Sequence, residues 1–173
     1  MKLRKMLGKM DSPECQALMR QMETQSKQTL AAWAVAYAKE RYLPLYQSAY
    51  PAEERLPAAL EACAACLRGE GAPAEGKAAQ KALRQIASET EGPVAQAAAR
   101  AIATACAAVQ TPTNAFGFLL YGAAAFAYHS AGVRSSQAVY DPLATEELAR
   151  ALASLRAASV PGELNPATLR WNC

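Results

Sequence analysis

Histidine occurs once in this chain of 173 residues, tryptophan twice and phenylalanine three times, and β-branched residues are few. Strands are stabilised by such side chains packed on a pleated surface, so a sheet is not expected. The single His129 has no serine, cysteine or carboxylate at a recognisable spacing to act with. No G-x-S-x-G, H-E-x-x-H or phosphate-cradling glycine loop occurs either, so no catalytic residue, cofactor or metal is expected. An excess of one charge is also lacking. The 18 basic and 15 acidic residues leave +3, and the cations are spread along the chain, which argues against nucleic acid as the partner.

Long apolar runs are missing as well. Residues Ala101 to Val133 contain no Asp, Glu, Lys or Arg, but Gln110-Thr111-Pro112-Thr113-Asn114 divides them. Each piece is too short or too weakly apolar to cross a bilayer, so the stretch reads as a buried helical hairpin and no membrane partner is expected. The basic start, MKLRKMLGKM, leads into no apolar segment and is neither a signal peptide nor an anchor. Five cysteines, an odd number, then read as reduced thiols in a cytoplasmic protein.

What the chain has in abundance is alanine, 42 residues of it. Alanine loses no side-chain entropy in a helix, and helices faced with it must approach closely to leave no void. The expected fold is all-α: a bundle of about seven mostly antiparallel helices, as stacked hairpins around an alanine-rich core, in one domain spanning 1–173. Ser12-Pro13, Ala72-Pro73, Gly92-Pro93, Thr111-Pro112 and Asp141-Pro142 mark helix starts, because proline suits a first turn and Ser, Thr or Asp can cap it. Helices are placed at 12–24, 27–43, 53–68, 73–89, 93–109, 112–131 and 142–158. A basic segment (1–11) precedes them, 133–141 is a loop, and 159–173 is an irregular tail that Trp171 docks onto the body.

The second helix carries one stripe of Leu30, Trp33, Ala34 and Tyr37 and another of Ala31, Val35, Ala38 and Tyr42, so it must be covered on two sides. Leu56, Leu60, Cys63 and Leu67 share a face of the third. The fourth turns Ala79, Ala82, Leu83 and Ile86 inward and Lys77, Lys81 and Arg84 to water. The last buries Leu148, Ala151, Leu152 and Leu155. Cys63 and Cys66 spell C-x-x-C, but late in a helix and without a second such pair they read as small core hydrophobes. Tyr37, Tyr42, Tyr46 and Tyr50 serve packing or a protein interface.

From Trp33 to Glu70 the sequence runs WAVAYAKERYLPLYQSAYPAEERLPAALEACAACLRGE. A helix bearing Trp33 leads to Leu43-Pro44-Leu45, then to Tyr50-Pro51 with Glu53, Glu54 and Arg55, then to an Ala/Glu helix with Glu61 that closes on Gly69-Glu70. An alanine-rich helix pair follows, Val94–Val109 and Ala115–Ala131, ending in Ala125-Phe126-Ala127. In this order the chain, over 29–132, resembles the immunity proteins of the immunity-five-like family. It departs from the family at Ala36-Tyr37, where an Asp-Cys pair is usual. The resemblance implies an all-helical bacterial protein that is not an enzyme and that neutralises a cognate toxin by binding it. The partner surface is then placed at Tyr50, Glu53, Glu54 and Arg55, where an aromatic anchor meets charges on a connection. The alternative is a small-molecule binder or enzyme with an inter-helix pocket lined by Trp33, Tyr37, Phe116, Tyr121 and His129. A neighbouring toxin is the expected partner, and a second copy of the chain is left open.

Overall fold

Serine sets the first two helix boundaries. In the computed structural model, which describes residues 2–171, Ser12 caps α1 (Pro13–Met22) by accepting a hydrogen bond from the Cys15 amide, and Ser26 caps α2 (Lys27–Arg41) by accepting one from the Thr29 amide at 3.2 Å. Six further α-helices follow: α3 (Leu43–Ala49), α4 (Arg55–Leu67), α5 (Pro73–Glu89), α6 (Pro93–Cys106), α7 (Asn114–Ala131) and α8 (Gln137–Ala158). A 3-10 turn, Ala107–Val109, extends α6, and no strand occurs among the described residues. The fold is the all-α bundle that the composition predicts.

The main departures from the expected helix boundaries lie at Tyr42 and at the starts of the last two helices. The second helix breaks at Tyr42, and an eighth α-helix, α3, starts there. Pro44 has no N–H to give the carbonyl one turn back, so it is accommodated by restarting the helix with proline in its first turn. Neither Thr111 nor Asp141 caps a helix. The expected loop 133–141 is shorter because α8 begins at Gln137 and carries Pro142 inside it. Tyr140 offsets the hydrogen bond lost there. It is almost fully buried, its ring meets Tyr128 edge-on at 4.8 Å, and its hydroxyl donates to the Gly132 carbonyl while accepting from the Ser135 amide.

The centre of the bundle is α6, which packs against α2, α3, α5 and α7. Its alanines 95, 98, 99, 101 and 105 are buried to 2% exposure or less, and the slim helix lets four neighbours close around it. Larger side chains fill the space around these alanines. Leu30, Leu56, Leu60, Leu83, Ile102 and Leu119 are fully buried, each contributing about 1.5–3 kcal/mol by leaving water. As expected, α2 is covered on two sides, with Leu30, Trp33, Ala34, Tyr37 and Ala38 all inside.

Both ends of the described chain are tied down. The Leu7 amide donates to the Leu120 carbonyl at 3.0 Å, and the Tyr128 hydroxyl to the Arg4 carbonyl at 2.7 Å, laying the basic segment across α7. At the other end Glu163 accepts from the Ser26 amide, the Ser26 hydroxyl and the Thr29 hydroxyl. Buried Gln25 accepts from the Val160 amide, and Trp171 donates to Glu23 at 2.8 Å with its ring edge-on to Phe116. Cys173 lies outside the described residues.

Candidate functional site

Tyr50-Pro51-Ala52-Glu53 forms a β-turn, with the Glu53 amide donating to the Tyr50 carbonyl at 3.2 Å and proline at the position whose φ it pre-sets. The turn delivers Glu53 to the start of α4, where its carboxylate accepts the Arg55 amide at 2.8 Å and so caps an exposed donor. The same carboxylate takes the Arg55 guanidinium through both oxygens, at 3.0 and 2.7 Å. These bonds from Arg55 hold the Glu53 carboxyl below the usual carboxylate range. Arg55 also reaches Glu89 at the end of α5, 3.4 Å away.

Tyr50 stacks on buried Tyr46, with ring centroids 5.2 Å apart, and its hydroxyl both donates to the Glu91 carbonyl and accepts from the Glu91 amide. Three of the four residues expected at a partner surface are therefore fixed in place, while Glu54 stands exposed. The structure adds Glu89 and Glu91, both exposed, which sequence reasoning missed. Their only signal was an acid-x-acid pair at the connection between two expected helices. The patch holds one guanidinium between two carboxylates, Glu53 and Glu89, with the exposed Glu54 and Glu91 each next to one of the anchored segments in sequence. Beyond Gly92 the charge reverses: Lys2, Arg4, Lys5 and Arg100 line a groove with Pro93 and Gln96.

A second polar cluster is internal. Glu147 of α8 is fully buried and accepts from the hydroxyls of Tyr37 at 2.8 Å and Tyr42 at 3.1 Å and from the Arg41 guanidinium at 2.6 Å. Arg41 lies over the Phe126 ring, 5.4 Å from its centroid, and Arg150 approaches Glu147 at 3.9 Å. Phe118 is edge-on to Trp33, Tyr37 and Tyr42, closing the cluster on its inner side. Sequence reasoning also passed over Glu147. It sits one residue before Leu148 and four before Ala151, on the inward stripe of α8, and that placement was the available signal.

Burial first, and then the Glu147 charge, push the Tyr37 and Tyr42 hydroxyls far above the ordinary tyrosine value of 10.0. The raised value belongs to the folded state, so these groups leave stability intact below pH 10. It is lost as pH climbs further, because only the unfolded chain releases the two protons. Each phenol should cost about 1.4 kcal/mol per pH unit in that range. Absorbance at 295 nm should therefore show two of the seven tyrosines ionising only together with loss of helical circular dichroism. Seven phenolates formed with the helices intact would contradict this burial.

The residues of the alternative pocket are dispersed. Trp33 and Tyr37 pack into the core, with Trp33 donating to Ser154 at 3.0 Å. Phe116 lies under the C-terminal tail, Tyr121 faces a surface groove with Arg84 and Arg100, and His129 is exposed in the last turn of α7. Lys77, Lys81 and Arg84 face water. Cys63 is buried against Cys106 of α6, whose thiol donates to it and holds Cys63 below the ordinary thiol value. No described helix is long and apolar enough to cross a membrane.

Comparison with family models matches residues 20–157 to a family described as Imm-5 like putative immunity protein. The match runs from within α1 almost to the end of α8 and includes the charged turn at 50–55. No curated protein and no solved structure matches. With most of its length matched, and with the helical architecture that the resemblance at Trp33 to Glu70 implied, the chain belongs to the Imm-5 like family of immunity proteins.

Proposed function

We propose that this chain is a cytoplasmic, non-catalytic immunity protein that neutralises a cognate bacterial toxin by binding it, through the surface around Tyr50, Glu53, Glu54 and Arg55 extended by Glu89 and Glu91. The observation that carries this reading is the anchoring of that patch. Tyr50 is clamped to the Glu91 backbone, and Arg55 is held between Glu53 and Glu89, so a partner meets side chains already in their bound geometry. Pre-ordered side chains lose little entropy on association, which favours tight binding without any chemical step. The acidic patch and the basic groove of Lys2, Arg4, Lys5 and Arg100 face a partner as two opposite charges, which sets its orientation and raises the association rate.

Co-expression with the toxin domain encoded beside this chain is expected to restore growth and to yield a 1:1 complex on purification. Loss of both results would reject the proposal. Paired Glu54→Lys and Glu91→Lys substitutions should slow association about tenfold and alter its salt dependence while leaving the melting temperature unchanged, since both side chains are exposed. Stopped-flow association at several salt concentrations measures this, and an unchanged rate would place the interface elsewhere.

A further inference from the structure

A tightly packed alanine interior leaves few openings, and one of them has the makings of a ligand site. The end of α4, the start of α5 and the 3-10 turn enclose a cleft of about 290 Å³. Its walls are largely apolar, formed by Cys63, Leu67, Pro73 and Val109. That size and lining suit a small organic molecule.

The polar side chains lining it are Lys77, Gln80 and Gln110, beside the Cys66 thiol. Gln80 is only 6% exposed, yet its side-chain amide makes no hydrogen bond to any described residue, and it lines the cleft. It occupies the inward stripe of α5 with Gly76, Ala79, Leu83 and Ile86, where an apolar side chain would pack at no polar cost. The amide atoms themselves are not sealed off but reach the cleft, where a bound molecule can supply the partner that no described residue gives. Lys77 stands at the rim, exposed and in no ion pair with a described residue; it is the cation among the lining residues, at a mouth where Glu75 of the first turn of α5 also sets a carboxylate oxygen beside Gly71.

The walls are also shaped by glycine. A Cβ at Gly71 would lie 3.0 Å from the Cys66 sulfur, and one at Gly76 would lie 3.2 Å from it. Gly76 stands inside a helix, where alanine would be favoured by about 1 kcal/mol in this alanine-rich chain. Its effect is to seat Cys66 in the wall of the cleft, partly exposed, with its thiol donating to the Ala72 carbonyl at 3.4 Å.

We infer that this cleft binds a small carboxylate with an aromatic or branched apolar body, the body against Leu67 and Val109, the carboxylate on Lys77 and a polar substituent or carboxylate oxygen on the Gln80 amide. One lysine and no arginine favours a single carboxylate over a phosphate, for which a forked donor is the better match. The site is separate from the charged patch of Tyr50, Glu53, Glu54 and Arg55, and it stands whether or not that patch binds a toxin.

Naphthalene-2-carboxylate is the probe, and the full chain labelled with nitrogen-15 is the reporter. Saturable shifts are expected at the Gln80 side-chain amide and at the Gly71 and Gly76 backbone amides. The uncharged analogue 2-naphthylmethanol should bind about five- to tenfold more weakly, and Lys77→Ala should abolish the difference, because one ion pair at a partly desolvated rim is worth about that ratio. Lys77 is exposed, so the variant should fold. Independently, the carboxylate should slow alkylation of Cys66 by iodoacetamide, followed by peptide mass spectrometry. Absent or unsaturable shifts, shifts centred elsewhere, equal affinity for the two probes, or unprotected Cys66 would each overturn the inference.

Discussion

Gly122→Ala is expected to cost about 3–5 kcal/mol of stability, far more than an alanine normally costs in a helix. A Cβ at Gly122 of α7 would overlap the Tyr42 ring at its Cζ, Oη and Cε2 atoms. Tyr42 is fully buried, so its ring cannot swing into solvent without leaving a void and losing the bond to Glu147. Gly117, on the same helix, is the control. The nearest atoms to a Cβ there are 3.8 Å and 3.9 Å away, in ordinary contact, so Gly117→Ala should stabilise the protein by about 0.4–1 kcal/mol through the unfolded chain. Urea denaturation of both variants measures the contrast. Adding Gly122→Ala to Tyr42→Ala should cost little more than Tyr42→Ala alone, since the collision is then gone. Similar stabilities for the two glycine variants would mean that α2 and α7 do not cross as closely as described.

The second large effect concerns Arg41. Arg41→Met should destabilise by about 3–5 kcal/mol, because it leaves the Glu147 carboxylate fully buried with two phenols and a distant Arg150 as its only partners. Tyr37→Phe removes one bond to a charged acceptor and should cost about 1.5–3 kcal/mol. Arg41→Met combined with Glu147→Met should be more stable than Arg41→Met alone, since the stranded charge is removed with its partner. A double-mutant cycle in urea reads the coupling. Additive losses would show that the guanidinium and the carboxylate do not depend on each other.

The sequence made the helical class plain because 42 alanines and a low share of β-branched residues act in the same direction. The inward stripes of α2, α4, α5 and α8 were legible for the same local reason. The errors lay where distant packing outweighs local rules. Pro142 reads as a helix start, but Tyr140, held by Gly132, Ser135 and Tyr128, adds a turn before it. Tyr42 reads as one more residue on an apolar stripe, whereas its place depends on a glycine 80 positions along the chain. Glu147 was hidden by its type, since a carboxylate on an apolar stripe is ordinarily taken to face water.

The charged turn was half visible. Tyr50, Glu53, Glu54 and Arg55 are contiguous, but Glu89 and Glu91 join them only because α5 ends beside the start of α4. The cleft at Gln80 was invisible, because it depends on which residues of three separate segments leave space between them.

An interior built on α6 has one more consequence, for how such a protein can diverge. Where four helices crowd a backbone clothed in methyl groups, almost every replacement is an enlargement, and each forces its neighbours apart. Innovation is thereby channelled to the rind, where a residue can be exchanged without disturbing what lies beneath. A lineage on this scaffold can keep pace with a changing partner by repainting its exterior while the frame is inherited intact.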